Sequence, residues 1–311
     1  MAVIDNKTTN YNIPLPHESN ALEDDVGRIR SAFTLIDSLL KQRLPLAGGD
    51  ITGDTSIDVQ NFIIKSSISG YHDCVHNGIY RGKYLGSSLT SAQSAAIQEG
   101  TFDDLYIGDY WTIGGVNYRI AAFDYYYQCG DGGTSGRVLS QHHVVIVPDR
   151  NMYSAQMNDT STTEGAYVGS KMYAEGLDTA KSTIANAFGA GHLVSVRQYF
   201  QNAINASLGY TTAGAWYDET VWLMNEINVY GCRIWGNVRN GEAQPNLYTV
   251  DNRQYPLFRF WPVHRQAGSR YGFWLRDTVS ATNFASVSGN GNANYYYAGT
   301  SSGVRPAFCI C

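Results

Sequence analysis

The chain has 311 residues, 22 Lys and Arg against 27 Asp and Glu, and a formal net charge of −5 at pH 7. Charge this sparse and slightly acidic disfavours a nucleic-acid groove. No run nears the ~18 apolar residues of a membrane span, and no charged-then-apolar leader opens the chain, so secretion through a signal peptide is not expected. Its 32 glycines and 23 tyrosines suit short strands, long ordered loops and exposed aromatic surface.

Residues 1–19 read as an extended tether, with Asn10-Tyr-Asn-Ile-Pro-Leu-Pro16 inside it. Leu22, Val26, Ile29, Phe33, Ile36 and Leu40 then recur at intervals alternating between four and three, an apolar seam of nearly three heptads. The spacing predicts a helix within 20–44. Asn20 stands as N-cap with Glu23 three residues on, the capping-box pattern. Glu23, Asp24 and Asp25 sit at the positive end of the helix dipole and Lys41 and Arg43 at the negative end, and Pro45 stops the helix. Such a helix, isolated between extended flanks, buries its stripe only against a partner chain or its own domain. β-Branched residues mixed with Phe at the seam do not favour a simple dimer. Residues 45–66 read as a linker.

The remaining residues, 67–311, read as one globular head without an internal repeat. Thr90 to Gln98 predicts a short helix with Ser91 as N-cap and Gly100 as its stop. Phe102–Ile107, Tyr110–Ile113, Tyr118–Phe123 and His143–Val147 predict strands, with Gly114-Gly115 as a hairpin turn. Asp178 caps a helix through Phe188, whose buried stripe is Leu177, Ile184 and Phe188, and Gly189 ends it. Val194–Phe200, Thr220–Ile227 and Leu257–Trp261 read as further strands. Short helices among many short strands make an α+β domain.

Candidate chemistry is thin. The five cysteines (Cys74, Cys129, Cys232, Cys309, Cys311) include no CxxC or CxxH pair, so a zinc ribbon fails on spacing and free thiols are expected. His142 and His143 are adjacent, face opposite sides of a strand, and read as hydrogen-bonded core residues rather than ligands. Asp103, Asp104 and Asp109 are the densest carboxylate group of the head; Gly108 breaks any strand through them, which leaves turn and cap roles. Gly130-Asp-Gly-Gly-Thr-Ser-Gly136 lacks the lysine and helix of a phosphate site and reads as a second surface loop. No G-x-S-x-G, H-E-x-x-H or P-loop occurs, and no metal or cofactor is expected. Trp216, Trp222, Trp235 and Trp261 read as core.

The C-terminal forty residues are the most informative. Tyr271-Gly-Phe-Trp-Leu-Arg276 and Gly303-Val-Arg-Pro-Ala-Phe308 read as strands. They bracket the 26 residues 277–302, of which 18 are Asn, Ser, Thr, Gly or Tyr and Asp277 is the one charge. That is paratope chemistry, rigid amphipathic rings among adaptable small polar groups. Arg276 and Arg305, each near an aromatic, read as buried supports that donate to loop carbonyls.

The W-L-R…G-V-R-P-A pair resembles the C-terminal module of phage tail-fibre and bacterial surface proteins, which has a C-type lectin-like fold, as in the phage major tropism determinant. Asn10-Tyr-Asn-Ile-Pro-Leu-Pro16, Asp24-Asp25-Val-Gly-Arg-Ile-Arg30 and Pro45-Leu-Ala-Gly-Gly49 with Ile51-Thr-Gly53 resemble the N-terminal part of phage tail fibres. Residues 79–173, through Gly108-Asp-Tyr110, Val147-Pro-Asp149 and Tyr167-Val-Gly-Ser170, resemble phage minor structural proteins. The resemblance implies a non-enzymatic receptor-binding protein of the virion, assembled in the host cytoplasm. It implies a short trimeric coiled coil seamed by Leu22, Val26, Ile29, Phe33, Ile36 and Leu40, then a lectin-like head. Its partners would be two further copies of itself, other tail or baseplate proteins through the N-terminus, and a host surface glycan or protein, with no nucleic acid and no membrane insertion. A display loop at 277–302 would touch the receptor through Asn283, Ser286, Ser288, Asn290, Asn292, Asn294, Tyr295, Tyr296 and Tyr297. The alternatives are a structural tail or baseplate decoration protein, or a tail-spike glycan hydrolase, which would need two carboxylates across a cleft.

Overall fold

A computed structural model describes residues 3–9, 11–41, 72–131, 138–237, 253–268 and 271–311. The linker at 45–66, Pro45 and most of the glycine-rich loop at 130–136 lie outside them. The chain divides into two compact units, Met1–Ile63 and Ile64–Cys311.

In the first unit, helix α1 spans Leu22–Lys41, as the heptad spacing predicts, with Glu23, Asp24 and Asp25 in its first turn. Leu22, Val26, Phe33 and Ile36 of the seam are exposed and Ile29 is half-buried; the side chain of Leu40 lies outside the described residues. The preceding segment is not an extended tether. Thr8 N–H donates to Ile13 O at 2.9 Å and Lys7 bridges Pro14, closing a small hairpin. Arg28 fastens this hairpin to the helix: Nη2 donates to Asn6 O (2.9 Å) and Leu15 O (2.7 Å), Nη1 pairs with Asp5, and Nε lies 3.2 Å from Asp25. The expected capping box does not form, because Asn20 uses its amide on the Asp25 carboxylate (2.9 Å) and on the Ile4 peptide. A partner sixteen residues upstream is invisible to a local capping rule.

The second unit is a mixed α+β head. Its helices are α2 (His72–His76), α3 (Ser91–Gln98), α4 (Asp178–Phe188), α5 (Glu226–Tyr230) and α6 (Pro256–Phe260). Its first strands are β1 (Tyr84–Gly86), β2 (Tyr110–Ile113), β3 (Val116–Phe123), β4 (Val144–Pro148) and β5 (Tyr153–Ala155). A long hairpin follows, β6 (Val196–Ile204) and β7 (Thr211–Glu219), then β8 (Val221–Leu223). The C-terminal part supplies β9 (Phe273–Thr278), β10 (Asn283–Val287), β11 (Ala293–Tyr297), β12 (Ser302–Val304) and β13 (Pro306–Ile310). One sheet has the order β1-β2-β3-β4-β13-β8, a second β11-β10-β9-β12-β5, and β6-β7 pair apart.

Several expectations are corrected. The cap of α3 is Thr90, one residue earlier than expected, in a full capping box with Gln93. Phe102–Ile107 is a turn segment in which Phe102 and Asp104 take positive φ, because Asp109 draws the chain inward by accepting the Tyr106 N–H at 2.9 Å. Leu257–Trp261 lies in the short helix α6 and its cap; a five-residue segment that is apolar but for Arg259 cannot by itself separate helix from strand, and Pro256 at the first helical position was the deciding signal. Thr220–Ile227 stops being a strand after Leu223, where Asn225 caps α5 with Asn228.

The core of the six-stranded sheet is aromatic. Phe188 of α4 meets Trp111 (5.9 Å between centroids), Tyr118 (5.2 Å) and Phe308 (5.3 Å), which seats α4 on the sheet by its expected stripe. Each such ring, fully buried, contributes about 1.5–3 kcal/mol. Gly114 and Gly115 at φ +58° and +75° close the β2–β3 hairpin as expected.

The two flanking motifs converge on one frame. Arg305 separates β12 from β13 and passes the chain from the five-stranded to the six-stranded sheet. It is wholly buried, between Phe273 and Phe258, and donates to Pro148 O and His264 O at 2.7 Å each. Burial pulls its guanidinium down to about 10, against the opposing field of Asp149. Arg276, also buried, donates to Leu223 O at 2.9 Å and lies over Phe200. Both arginines are placed as internal supports.

Candidate interaction surface

Residues 277–302 do not form a free loop. They complete β9, build the β10–β11 hairpin and lead into β12, with Asn283 opposite Tyr297, Ala285 opposite Tyr295 and Val287 opposite Ala293. β10 is flanked by β9 and β11, whereas β11 is the sheet edge. That position decides which expected contact residues face outward. Ser286 and Asn283 are buried, 0 % and 8 % exposed. The Asn283 amide oxygen already accepts from Thr282 Oγ1 at 2.6 Å, so neither residue can touch a partner from β10. Ser288 and Asn294 are half-buried, and Asn290 and Asn292 lie exposed at the turn. Tyr295, Tyr296 and Tyr297 are exposed together along the edge, Tyr297 most at 59 %.

The edge is partly closed against strand pairing. Alternation along an antiparallel ladder aims the main-chain groups of Tyr295 and Tyr297 outward, since Ala298 N–H and Ser288 N–H bond across the hairpin to Thr282 O and Asn292 O. The outward Tyr295 N–H is taken by Asn294 Oδ1 at 2.9 Å, and Tyr297 O accepts from Thr300 N–H at 2.8 Å. A row of free donors and acceptors invites another strand; capping them leaves the tyrosine side chains as the available contact.

Two other segments join this edge. Trp235, 43 % exposed, meets Tyr295 edge to face with centroids 4.9 Å apart. The neighbouring Ile234 is 49 % exposed. At the tip of the β6–β7 hairpin, Gly209 takes φ +70°, and a Cβ there would stand 2.3 Å from the Ala281 nitrogen, so only glycine lets the tip approach this closely. Leu208 beside it is 66 % exposed. Asn237 ties the three segments: its N–H reaches Thr278 O (2.8 Å), its carbonyl accepts Thr211 N–H (3.0 Å), and its amide meets Leu208 O (3.4 Å). Leu208, Ile234, Trp235, Tyr295 and Tyr297 thus stand on a backbone-linked frame. An exposed apolar group on a rigid scaffold is the usual mark of a contact site.

Trp235 and Trp261 correct the core expectation, since Trp261 is also exposed and Trp216 is half-buried; Trp222 alone of the four is fully buried. The one sequence signal for Trp235 was its place between Gly231 and Gly236, glycines that mark a turn and not a core strand.

The remaining candidates have internal duties. Asp124 accepts from His143 N–H (2.9 Å) and pairs with His142 Nδ1 (2.6 Å). The His143 ring bonds Gln141 O through Nδ1 and Tyr126 N–H through Nε2, and burial lowers its pKa, all suited to a neutral imidazole. Asp109 binds Arg81 (2.6 Å) and the main-chain N–H groups of Lys83 and Tyr106, while Asp104 pairs with Arg81 and Lys83. Gly108, at φ +86°, makes room for the Tyr80 ring. None of the five cysteines is in a disulfide; Cys309 and Cys311 are buried, Cys74 and Cys232 exposed. Among the described residues, no group of three His, Cys, Asp or Glu side chains is placed to hold a metal ion, and no helix is long and apolar enough to cross a membrane. Comparison with family models, curated proteins and solved structures gives no match for the chain.

Proposed function

We propose that the chain is an attachment protein of a virion, a phage tail-fibre receptor-binding protein whose head adheres to the host cell surface without chemistry. The observation that carries this reading is the aromatic surface of Trp235, Tyr295 and Tyr297, held out by three tied segments of a rigid head. Large, stiff amphipathic rings give contact area at little entropic cost and are typical of binding hot spots. In this reading the head is C-type lectin-like, and the exposed seam of α1 joins three copies into a coiled coil with the folded arm of residues 3–17 at its virion end. Trivalency raises avidity through effective concentration, which lets a modest single contact retain a particle.

The test is binding of the labelled full chain to a panel of bacterial strains. Trp235→Ala with Tyr297→Ala should lower retention at least about tenfold, the loss of one modest hot spot, with the melting temperature unchanged. Equal retention by wild type and variant would sink the reading. Binding to purified virion subunits in place of cells would shift it to a decoration protein.

A further inference from the structure

Two buried carboxylates lie behind the exposed Trp235. Glu226, at the start of α5, is 0 % exposed, and Asp277, on β9, is 5 % exposed. Glu226 Oε2 accepts the N–H groups of Ile234 at 2.8 Å and Gly236 at 2.7 Å, and the Trp235 N–H lies 3.0 Å from both carboxylate oxygens. Three successive amides turned toward one anion form the concavity that elsewhere binds phosphate or sulfate; here the chain supplies the anion itself. Asp277 Oδ2 in turn accepts the Glu226 N–H at 2.6 Å. Gly236 completes the fit, since a Cβ at that position would stand 3.1 Å from both Glu226 Oε2 and Asp277 Cβ.

We propose that Glu226 is a positioning residue for the contact surface: it holds the main chain of Ile234–Gly236 and so fixes how Trp235 faces a partner, with Asp277 holding Glu226 through its main chain. What Trp235 contacts rests on the attachment reading; the hold itself does not. Hydrogen bonds to a charged acceptor are the strong kind, so one carboxylate suffices to order a loop that has almost no buried side chains. Arg233 and Arg276 are the charged groups facing the pair. Burial, then the charge of Glu226, push Asp277 up to about 6, while Arg233 and Arg276 oppose the shift. A folded-state pKa raised above the ordinary carboxylate value contributes stability that is complete below that ordinary value and is lost as pH rises through about 6.

Amide hydrogen exchange on the full chain reads the hold without any ligand. In Glu226→Gln, protection of the 234–236 amides should fall about tenfold or more, the loss expected on removing charge from a shared acceptor, while the Val144–Val147 amides of β4 keep theirs. Unchanged protection at 234–236, or a uniform loss that includes β4, overturns the proposal. Should Glu226→Gln fail to fold, Asp277→Asn decides, because it keeps an acceptor for the Glu226 N–H and removes the second charge. Wild-type protection factors at 234–236 should decline between pH 5 and 7 and those of Asp277→Asn should stay level; a wild type as level as the variant overturns the role of Asp277. Trp235→Ala leaves the Glu226 contacts in place, so its effect on cell retention judges attachment separately.

Discussion

In the head, Trp111, Trp222 and Trp274 have no exposed surface, whereas along α1 Leu22 is 78 % and Phe33 68 % exposed. The helical unit is ordered instead by polar contacts: Arg28 spans Asp5, Asn6, Leu15 and Asp25, and Asn20 joins Ile4 to Asp25. One region therefore spends its apolar residues on its own core, and the other keeps them in reserve on a periodic stripe. An amphipathic helix draws most of its stability from what covers that stripe, so burial of the stripe is where the helical unit has most to gain.

The largest expected effect lies in the core. Trp222→Ala should cost the head about 3–5 kcal/mol, seen as a lower midpoint in denaturant unfolding; a cost below about 1 kcal/mol would mean the sheet interior is looser than its burial implies. Arg305→Lys comes next. Lysine keeps the charge but cannot reach Pro148 O and His264 O as one planar fork, and a loss of about 2–3 kcal/mol is expected from a buried charge left short of a partner. In the helical unit, Phe33→Asp should change head stability by less than about 0.5 kcal/mol, yet light scattering should show the mass falling from three chains to one. A variant that keeps the wild-type mass would remove the coiled coil from the proposed function.

The arm offers a gentler test. The Asn20 amide holds Asp25 below its ordinary pKa, aided by the His17 N–H and Arg28 and opposed by burial. A depressed carboxylate contributes stability that is present above its ordinary value and lost as pH falls through the lower, folded one. Amide exchange at Ile13, Leu15 and His17 should therefore quicken below about pH 4, near the ordinary aspartate value, and Asp25→Asn should show that faster exchange already at pH 7. The smallest effect belongs to the sheet edge: Tyr297→Ala should move head stability by less than about 0.5 kcal/mol by thermal melting, since that ring packs little.

What the sequence disclosed follows from range. The α1 helix, the Gly114-Gly115 turn and the helix ending at Phe188 are local patterns, and the structure repeats them, except that Leu177 and not Asp178 stands at the N-cap of the last. Arg276 and Arg305 were also readable, since a charged residue inside a β-branched and aromatic run needs internal acceptors. The tip of the β6–β7 hairpin and the Trp235 loop were not, because Asn237 bonds to Thr211 and Thr278 far along the chain and Glu226, which holds the loop, is itself held by the distant Asp277. Nor could composition tell β10 from β11. Both belong to the same insert and mix small polar with apolar residues, but β10 lies inside the sheet and β11 at its edge, which separates Ser286 from Tyr295.

β13 is inserted between β4 and β8, so that Phe308 pairs with Ile146 on one side and Val221 on the other. The fifth strand of the six-stranded sheet thus pairs with distant parts of the chain on both flanks. Ordering by contact distance makes this a slow step, in the millisecond-to-second range of non-local β topologies. Until it occurs, β4 and β8 each present an open edge, the species most prone to aggregate. Expression conditions that slow the supply of new chain or raise chaperone occupancy should therefore improve recovery of this head more than added stability would.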